Sequence, residues 1–339
     1  MKTYYVDFKI VTMKVNGPLE LFQLANSYFP GAVKDNEIRF DFEVNYNGIN
    51  KSKPKIPQDA KLIQSFGGAS YYTWQDNNNK TFSYCHDSYI YGGNIIENNG
   101  REFNIWVTDY DDNQKSGIIW AIRLIRELFL MAGILKNYIP IHASAVSIDN
   151  QGLIFFGEKG SGKTTSMFTL VNKLKAQPLS NDLVLVGKDE DNEWEILGWG
   201  WRVTVGNELL KASGFSERGE NLQNNKTAFY PLDFSKYISI PWCWHSKLKA
   251  IIKPQIDLDK NLTVENIERN NIFNKLLQEG TEQEWQFGDY LNMGIFIPNF
   301  KVAFDKISND IPSYNVTGNI WASATDSTGL WNKILRGDM

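Results

Sequence analysis

Short runs of alternating apolar and polar residues occupy the first hundred or so positions of the chain, and this alternation is typical of half-buried β-strands. Alternating runs lie at residues 4–10 and 38–44, and runs rich in aromatic and β-branched residues lie at 71–74 and 103–107. Clusters of polar residues and glycine separate them and indicate turns. We therefore expect an antiparallel, mostly β module, followed by a polar linker at residues 109–115.

The most apolar stretch of the chain lies at residues 118–135 and contains Arg123, Arg126 and Glu127. Each of these charged side chains would be costly at the centre of a bilayer. We therefore interpret residues 116–136 as a buried helix of a soluble, cytoplasmic protein, with a membrane span as the alternative.

Strand and helix patterns follow one another beyond this helix. The predicted elements are strands at 139–148, 153–156 and 183–186, and helices at 163–175 and near 264–278. A turn at residues 149–152 joins the first two strands as a hairpin. The chain thus predicts an α/β (α+β) protein: a β-rich N-terminal domain over residues 1–112, then a domain with a mixed sheet over residues 113–339.

Composition and charge exclude several classes of protein. The 339 residues include 35 Lys and Arg against 39 Asp and Glu, a net charge of -4. This balance argues against a nucleic-acid coat protein or a polybasic membrane anchor. Two cysteines, Cys85 and Cys243, are too few for a disulfide framework, and the absence of a CxxC pair excludes a zinc ribbon.

One motif in the sequence carries recognisable chemistry. It consists of Gly157, Glu158, Lys159, Gly160, Ser161, Gly162, Lys163 and Thr164, with Thr165 next in the chain. It matches GxxxxGK[ST], in which glycines let backbone N–H groups face a phosphate and the following helix adds its positive end. The lysine reaches the β- and γ-phosphates, and the threonine hydroxyl serves Mg²⁺. The alternative is a plain glycine turn before a helix.

An acid and a histidine flank this motif along the chain. Asp182 follows the predicted helix directly, so a return strand would bring it back beside the phosphates, as a base or a Mg²⁺ ligand. The alternative for Asp182 is a turn residue that begins the next strand. His142 lies on the strand before the motif, where it is either a hydrogen-bonded core histidine or a partner of the acid or the phosphoryl group.

Two aromatic clusters stand out further along the chain. The first contains Trp199, Trp201 and Arg202. Its arginine is a candidate for neutralising charge on a transferred phosphoryl group, and its tryptophans are candidates for stacking on a base or substrate. The alternative is a packed aromatic strand with an exposed arginine. The second cluster, at residues 241–245, is interpreted as a substrate wall or a domain seam.

The histidine strand, the hairpin, the phosphate loop and the acid, in this order, resemble the HPr kinase/phosphorylase family of the phosphoenolpyruvate-carboxykinase-type P-loop group. The resemblance covers residues 116–190, with a weaker likeness at residues 250–256 to the family's apolar strand and proline. It is closer to the peptide and small-molecule kinases of the group than to true HPr kinases, whose longer C-terminal signature we do not find.

The resemblance implies roles for individual residues. Residues 157–164 would bind the phosphates of ATP. Asp182 falls on one member of the family's acidic pair, which is general base and metal partner, and His142 falls on the family's active-site histidine. Asn181 replaces the other acid; its carbonyl oxygen can still bind Mg²⁺, but it cannot act as a base. The implied metal ligands are Thr164, Asn181 and Asp182.

The leading functional hypothesis is an ATP- and Mg²⁺-dependent kinase that phosphorylates a hydroxyl, most plausibly a serine of a peptide or small protein. A hydroxyl-bearing metabolite is the alternative acceptor. Two further hypotheses are a P-loop ATPase with water as acceptor and a nucleotide-binding module without catalysis, which the Asn181 departure leaves open. We expect neither nucleic acid nor a membrane as partner, and a homo-oligomer is left open.

Overall fold

The computed structural model describes residues 1–49, 53–65, 68–85, 93–108, 117–215, 219–222, 224–267, 288–295, 300–320 and 328–338. The chain forms two compact units, Met1–Lys136 with Trp285–Ile297, and Asn137–Glu284 with Pro298–Met339. These units differ from the predicted division at residue 112 in two places. The long helix belongs with the first unit, and a later segment returns to it. The predicted linker at 109–115 lies outside the described residues.

The first unit contains strands and two helices. In chain order they are β1 (Lys2–Phe8), β2 (Val11–Gly17), α1 (Leu19–Tyr28), β3 (Val33–Lys34), β4 (Phe42–Ile49), β5 (Lys61–Gln64), β6 (Ser70–Gln75), β7 (Thr81–Cys85), β8 (Gly93–Asn98), β9 (Glu102–Thr108) and α2 (Ile118–Leu135). The four predicted strand runs overlap β1, β4, β6 and β9. Helix α1 was not anticipated, although its buried residues Leu21, Ala25 and Tyr28 follow the helical period.

In the described part of this unit the strands form one sheet, in the order β3-β1-β2-β4-β9-β8-β7-β6-β5. The expectation of a purely antiparallel module is wrong, because β4 runs parallel to both β2 and β9. Parallel neighbours need a crossover connection, and α1 lies in the segment that joins β2 to β4. The sheet is therefore mixed.

Helix α2 packs into the core of the first unit, as its apolar sequence predicts. Phe129 lies 4.5 Å from the ring of Phe8 on β1. The buried Glu127 carboxylate accepts a hydrogen bond of 2.9 Å from Arg123, one helical turn away. This ion pair explains how Arg123 and Glu127 are accommodated in an apolar helix. Within the described ranges, no helix is both long and apolar enough to cross a membrane.

The second unit holds the remaining elements. They are β10 (Ile139–Ile148), β11 (Gln151–Phe156), α3 (Lys163–Leu174), β12 (Gln177–Ser180), β13 (Leu183–Lys188), β14 (Trp194–Gly198), β15 (Val203–Gly206), α4 (Asn207–Ala212), β16 (Glu220–Leu222), β17 (Lys226–Phe229), α5 (Pro231–Ile238), β18 (His245–Ile256), β19 (Thr263–Asn266), α6 (Phe300–Asp310), β20 (Ser313–Gly318) and α7 (Thr328–Arg336). The predicted strands at 139–148, 153–156 and 183–186 and the helix at 163–175 are all present.

The main sheet of this unit is also mixed, with the order β11-β10-β13-β14-β18-β20-β19 and β12 beside β10. Strand β18 additionally pairs in parallel with β11, so β11, β10, β13, β14 and β18 form a closed ring. One apolar cluster, which includes Phe156 and Ile251, lies on one side of these strands. A second, which includes Phe155 and Ile252, packs them against α3. The protein is thus an α+β fold built on mixed sheets.

The helix predicted near residues 264–278 is wrong at its start. Residues 263–266 form strand β19, which pairs antiparallel with β20 over Thr263–Asn266. Pairing with a neighbouring strand decides this short, mostly polar segment, whose period alone does not distinguish strand from helix. The rest of the predicted helix, from residue 268 onward, lies outside the described residues.

A buried hydrogen bond ties the start of β10 to β14 and generates a stability prediction. The Tyr138 hydroxyl donates to the Glu195 carboxylate at 2.5 Å, and both side chains are buried. Burial, together with this hydrogen bond, raises the pKa of the Tyr138 phenol, so it remains a donor. Gly187 leaves room for the ring, since a Cβ atom there would lie 2.5 Å from Tyr138 Cδ1.

We expect Tyr138→Phe to lower the free energy of unfolding by about 1–3 kcal/mol, because it removes a hydrogen bond from a buried carboxylate. Urea denaturation followed by circular dichroism measures the change. Tyr72→Phe, which alters an exposed tyrosine, is the control. Equal stability of the two variants would contradict the role given to the Tyr138 hydroxyl.

Candidate active site

The phosphate-binding motif forms a loop at the end of an apolar strand. Strand β11 ends at Phe156 and helix α3 begins at Lys163. Between them Gly157, Gly160 and Gly162 have φ angles of 132°, 92° and 106°. These left-handed angles are accessible to glycine and strained for other residues. The sequence pattern therefore produces the curled backbone that it predicts.

The end of β18 supports this loop from beneath. A Cβ atom at Gly162 would lie 2.4 Å from Ile256 Cδ1, so this glycine is needed for space as well as for its φ angle. At the other end of the loop, a Cβ atom on Gly157 would lie 3.0 Å from Ser161 Oγ. Glu158, Lys159 and Gly160, at the tip, are exposed. The loop is thus packed on one side and open on the other.

The charges at the loop suit an anion. The Lys163 ammonium donates to the backbone oxygens of Gly157 at 2.6 Å and Glu158 at 3.2 Å, which holds it against the loop. The first turn of α3 contains no acidic residue, and no side chain caps its N-terminus at Gly162. The first N–H groups of the helix and its positive end are therefore available to a phosphate.

A row of backbone pairings brings Asp182 to the same edge of the sheet as the loop. On β10, Ala143 pairs with Phe156, the last residue before the loop. The Ala143 N–H also donates to the Asp182 carbonyl oxygen at 3.0 Å. Asp182 is therefore two strand spacings, about 10 Å, from the start of the loop. A phosphoryl group and an acceptor fit within this span.

Asp182 and His142 form a polar pair beside the loop. The Asp182 Oδ1 and His142 Nε2 atoms lie 3.6 Å apart, and the side chains are 41% and 28% exposed. Substrate can therefore reach both groups. His142 lies opposite Leu183 in the pairing of β10 with β13, so strand register fixes its position beside the acid. This contact supports the interpretation of His142 as a partner of the acid over that of a core histidine.

Asn181 and Ser161 leave buried polar atoms unsatisfied. The backbone carbonyl oxygen of Asn181 accepts a hydrogen bond of 3.0 Å from the Ser144 hydroxyl, which fixes the turn before β13. Its side-chain Oδ1, and the Ser161 Oγ, are buried without a hydrogen-bond partner among the described residues. Buried polar atoms of this kind are usually satisfied, and those that are not often serve a ligand or ion.

These residues fit a nucleotide with Mg²⁺. Asn181 offers its side-chain oxygen Oδ1, and Asp182 offers an accessible carboxylate. Thr164 and Thr165 are half-buried in the first turn of α3. Throughout the described ranges, no three His, Cys, Asp or Glu residues cluster as a metal site. Nucleotide-bound Mg²⁺ does not need such a cluster, since it takes one or two carboxylates, phosphate oxygens and water.

Arg202 lies in a different setting from the one predicted. Its guanidinium pairs with the Glu220 carboxylate on β16 and lies 5.8 Å from the ring centre of Tyr230. The structure therefore joins Arg202 to the three-stranded sheet of β15, β16 and β17. Its predicted action on a phosphoryl group stays a prediction, which would require this ion pair to open.

The tryptophans form two pairs. Trp199 and Trp201 stack with ring centres 6.2 Å apart, and Trp201 is 37% exposed. The backbone oxygen of Trp199 accepts a bond of 3.4 Å from Ser180, the residue before Asn181. The backbone of Trp199 therefore lies next to the Asn181–Asp182 turn. Trp242 and Trp244 form the second pair, 6.1 Å apart, within the core cluster on the α3 side of the sheet.

Lys253 is a candidate that the sequence patterns did not single out. Strand β18 runs parallel to β11 with Ile252 opposite Phe155, so Lys253 stands level with the start of the loop. Its Cγ would lie 3.9 Å from a Cβ atom on Gly157. A lysine inside the apolar run Ala250–Pro254 was the available signal. The pairing of β11 with β18, which brings Lys253 to the loop, joins segments about a hundred residues apart, so the sequence does not reveal it.

Comparisons with protein-family models and with curated proteins give no match. Among solved structures, the HPr(Ser) kinase/phosphatase from Coxiella burnetii aligns with 59% of this chain and 99% of its own, with a TM-score of 0.31 and 11% sequence identity. This chain is similar to that protein only at this low level, which supports no inference about family or activity.

The packing of Gly162 generates a testable prediction. Gly162→Ala should destabilise the protein more than Gly160→Ala, because both add strain at a positive φ angle but the first also drives a methyl group into Ile256. No atom lies within 4 Å of a Cβ atom at Gly160. We expect a difference of about 1–3 kcal/mol by urea denaturation.

The double variant Gly162→Ala/Ile256→Ala tests the cause of this difference. We expect Gly162→Ala to cost less stability in the Ile256→Ala background than in the unaltered protein, because the methyl group then no longer meets the Ile256 side chain. If the two losses simply add, the Ile256 contact does not limit residue 162.

Proposed function

We propose that the protein is a kinase that transfers the γ-phosphoryl group of ATP to a hydroxyl group. The observation that carries this proposal is the row of pairings from Phe156 through Ala143 to Asp182, which sets a carboxylate beside a phosphate-binding loop. A loop of this kind alone indicates nucleotide binding. The accessible carboxylate and histidine at the same edge add the groups needed to activate an acceptor.

The proposed transfer uses Asp182 as general base. Its carboxylate takes the proton of the acceptor hydroxyl while the hydroxyl oxygen forms a bond to the γ-phosphorus. The bond from the γ-phosphorus to the bridging oxygen breaks, and its electron pair leaves with ADP. His142, 3.6 Å from the carboxylate, orients Asp182 toward the acceptor.

Positive groups at the loop stabilise the charge on the phosphoryl oxygens. Lys163 would exchange its contacts with the Gly157 and Glu158 carbonyl oxygens for phosphate oxygens, which make stronger, charge-assisted hydrogen bonds. The N–H groups at the start of α3 add to this. Thr164, Asn181 and Asp182 would hold Mg²⁺, whose chemistry when bound is to neutralise the β- and γ-phosphate charge.

The acceptor class is proposed as a serine of a peptide or small protein, with a hydroxyl-bearing metabolite as the alternative. The exposed Trp201 ring stacks on Trp199, whose backbone oxygen accepts a hydrogen bond from Ser180, and it offers a flat apolar surface for an acceptor. Transfer of labelled γ-phosphate to peptides and to free serine separates these acceptors. ATP hydrolysis that no acceptor accelerates would favour the ATPase, and nucleotide binding without turnover would favour a binding module.

The first test concerns the base. Asp182→Asn should still bind ATP through the loop, and it should lower turnover by about two orders of magnitude or more, because the amide cannot accept the proton. Labelled phosphate transfer and calorimetric ATP titration measure the two quantities. Asp191→Asn, in an exposed turn, is the matched control. Near-normal turnover of Asp182→Asn would contradict the assignment.

The second test concerns Lys253, which we propose as a further phosphate-binding cation. Its stem lies beside Gly157, so its ammonium is within side-chain reach of a phosphate in the loop. We expect Lys253→Ala to weaken ATP binding about tenfold, the scale of one charge-assisted hydrogen bond, and Lys253→Arg to retain part of the affinity.

Lys249→Ala is the control for this second test. Lys249 lies on the same strand, where its ammonium is 4.0 Å from a Cβ position on Gly337. Calorimetric titration with ATP and with AMP should show the Lys253 effect for ATP alone, since AMP lacks the β- and γ-phosphates. An equal loss with both nucleotides would contradict phosphate contact by Lys253.

A further inference from the structure

The sheet of the first unit carries a groove that the proposed kinase chemistry does not use. It has a volume of about 460 Å³. Its aromatic walls are Trp74, Phe82 and Trp106, and its charged lining residues are Asp76 and Glu97. Its volume lies within the range of small-ligand sites, roughly 300–1,000 Å³.

Strand register places these side chains on one face. Trp74 lies opposite Phe82, and Phe82 opposite Glu97. Ile95 lies opposite Trp106 on the next pair of strands. Directly opposed residues share a face of the sheet, so four neighbouring strands build this groove together. The Trp74 and Phe82 rings stack with centres 5.7 Å apart and planes 12° from parallel.

The chemistry of the lining selects a class of ligand. Apart from the tryptophan indoles, its polar side chains are carboxylates, which accept hydrogen bonds and donate none when ionised. A phosphate would need cations in the lining. Aromatic faces and carboxylates together attract an organic cation. We propose that this groove binds an alkylammonium or guanidinium group.

Both carboxylates are already held in place at the groove. Asp76 accepts hydrogen bonds of 2.9 Å from the backbone N–H groups of Asn78 and Lys80. Glu97 accepts one of 2.7 Å from the Lys80 ammonium. The site thus already accommodates one alkylammonium group at its edge. Lys80 pairs with Glu97, and Asp76 is held by neutral backbone N–H groups, so an entering cation would add positive charge beside these carboxylates.

The cation has two conceivable sources, a free amine or a lysine or arginine side chain of a peptide, and the test separates them. Isothermal titration of the full chain, without nucleotide, compares tetramethylammonium with neopentyl alcohol, a neutral group of similar shape. Parallel titrations use butylammonium, and acetyl-Gly-Lys-Gly-amide against its norleucine counterpart. We expect at least one of the two sources, the free amines or the lysine peptide, to bind, and its neutral partner to bind at least several-fold more weakly.

Two variants connect binding to the groove. Trp74→Leu should weaken cation binding roughly 2- to 30-fold, the range of cation–π contacts. Glu97→Gln should weaken it as well, while Glu102→Gln, on β9 outside the groove, should leave it unchanged. Circular dichroism establishes that each variant is folded. If Glu97→Gln does not fold, Trp74→Phe, which keeps an aromatic face, provides the comparison with Trp74→Leu.

Equal affinity for a cation and its neutral counterpart would overturn the proposal, as would cation binding that Trp74→Leu leaves unchanged. Binding of the peptide without the free amines would support it and identify the source. The measurement needs no phosphoryl transfer, so its outcome is independent of the proposed kinase activity.

Discussion

The candidate site depends on the backbone hydrogen bonds of one short stretch of β10. There, Ala143 pairs with the last residue before the loop on one side and binds the Asp182 carbonyl oxygen on the other. Ser144, next along, holds the Asn181 carbonyl through its hydroxyl. Backbone pairing in the middle of a sheet is rigid, so these bonds fix the distance between the phosphate loop and the carboxylate. The proposed phosphoryl transfer would depend on positioning, which requires such a fixed frame.

Around this frame, several polar groups are left without the partners that a purely structural role would supply. The Asn181 Oδ1 and Ser161 Oγ atoms are buried and unsatisfied among the described residues, and the start of α3 has no side-chain cap at Gly162. Each omission costs stability. All three lie within or directly beside the segments that form the phosphate loop and the acid turn. The proposed nucleotide and Mg²⁺ would satisfy these groups when bound.

Much of the local structure could be predicted from sequence. The ten residues of β10 and the apolar helix α2 have strong, unambiguous patterns, and the glycines of the loop allow the positive φ angles that the structure shows. Shorter or less regular segments were harder. Helix α1 lies among strands that dominate the pattern, and residues 263–266 became a strand through pairing with β20. The parallel neighbours of β4 were hidden because register between distant segments leaves no local trace.

The sequence by itself determined the local form of the loop: which glycines curl the backbone, and which lysine and helix follow them. It also indicated Asp182 as the candidate acid, because that residue follows the predicted helix directly. Only the tertiary structure decided which groups meet there, placing His142 3.6 Å from the acid, Lys253 beside Gly157 and Arg202 on Glu220. The physical reason is that a loop's conformation follows from nearest neighbours along the chain, whereas contacts across a sheet follow from strand order and register.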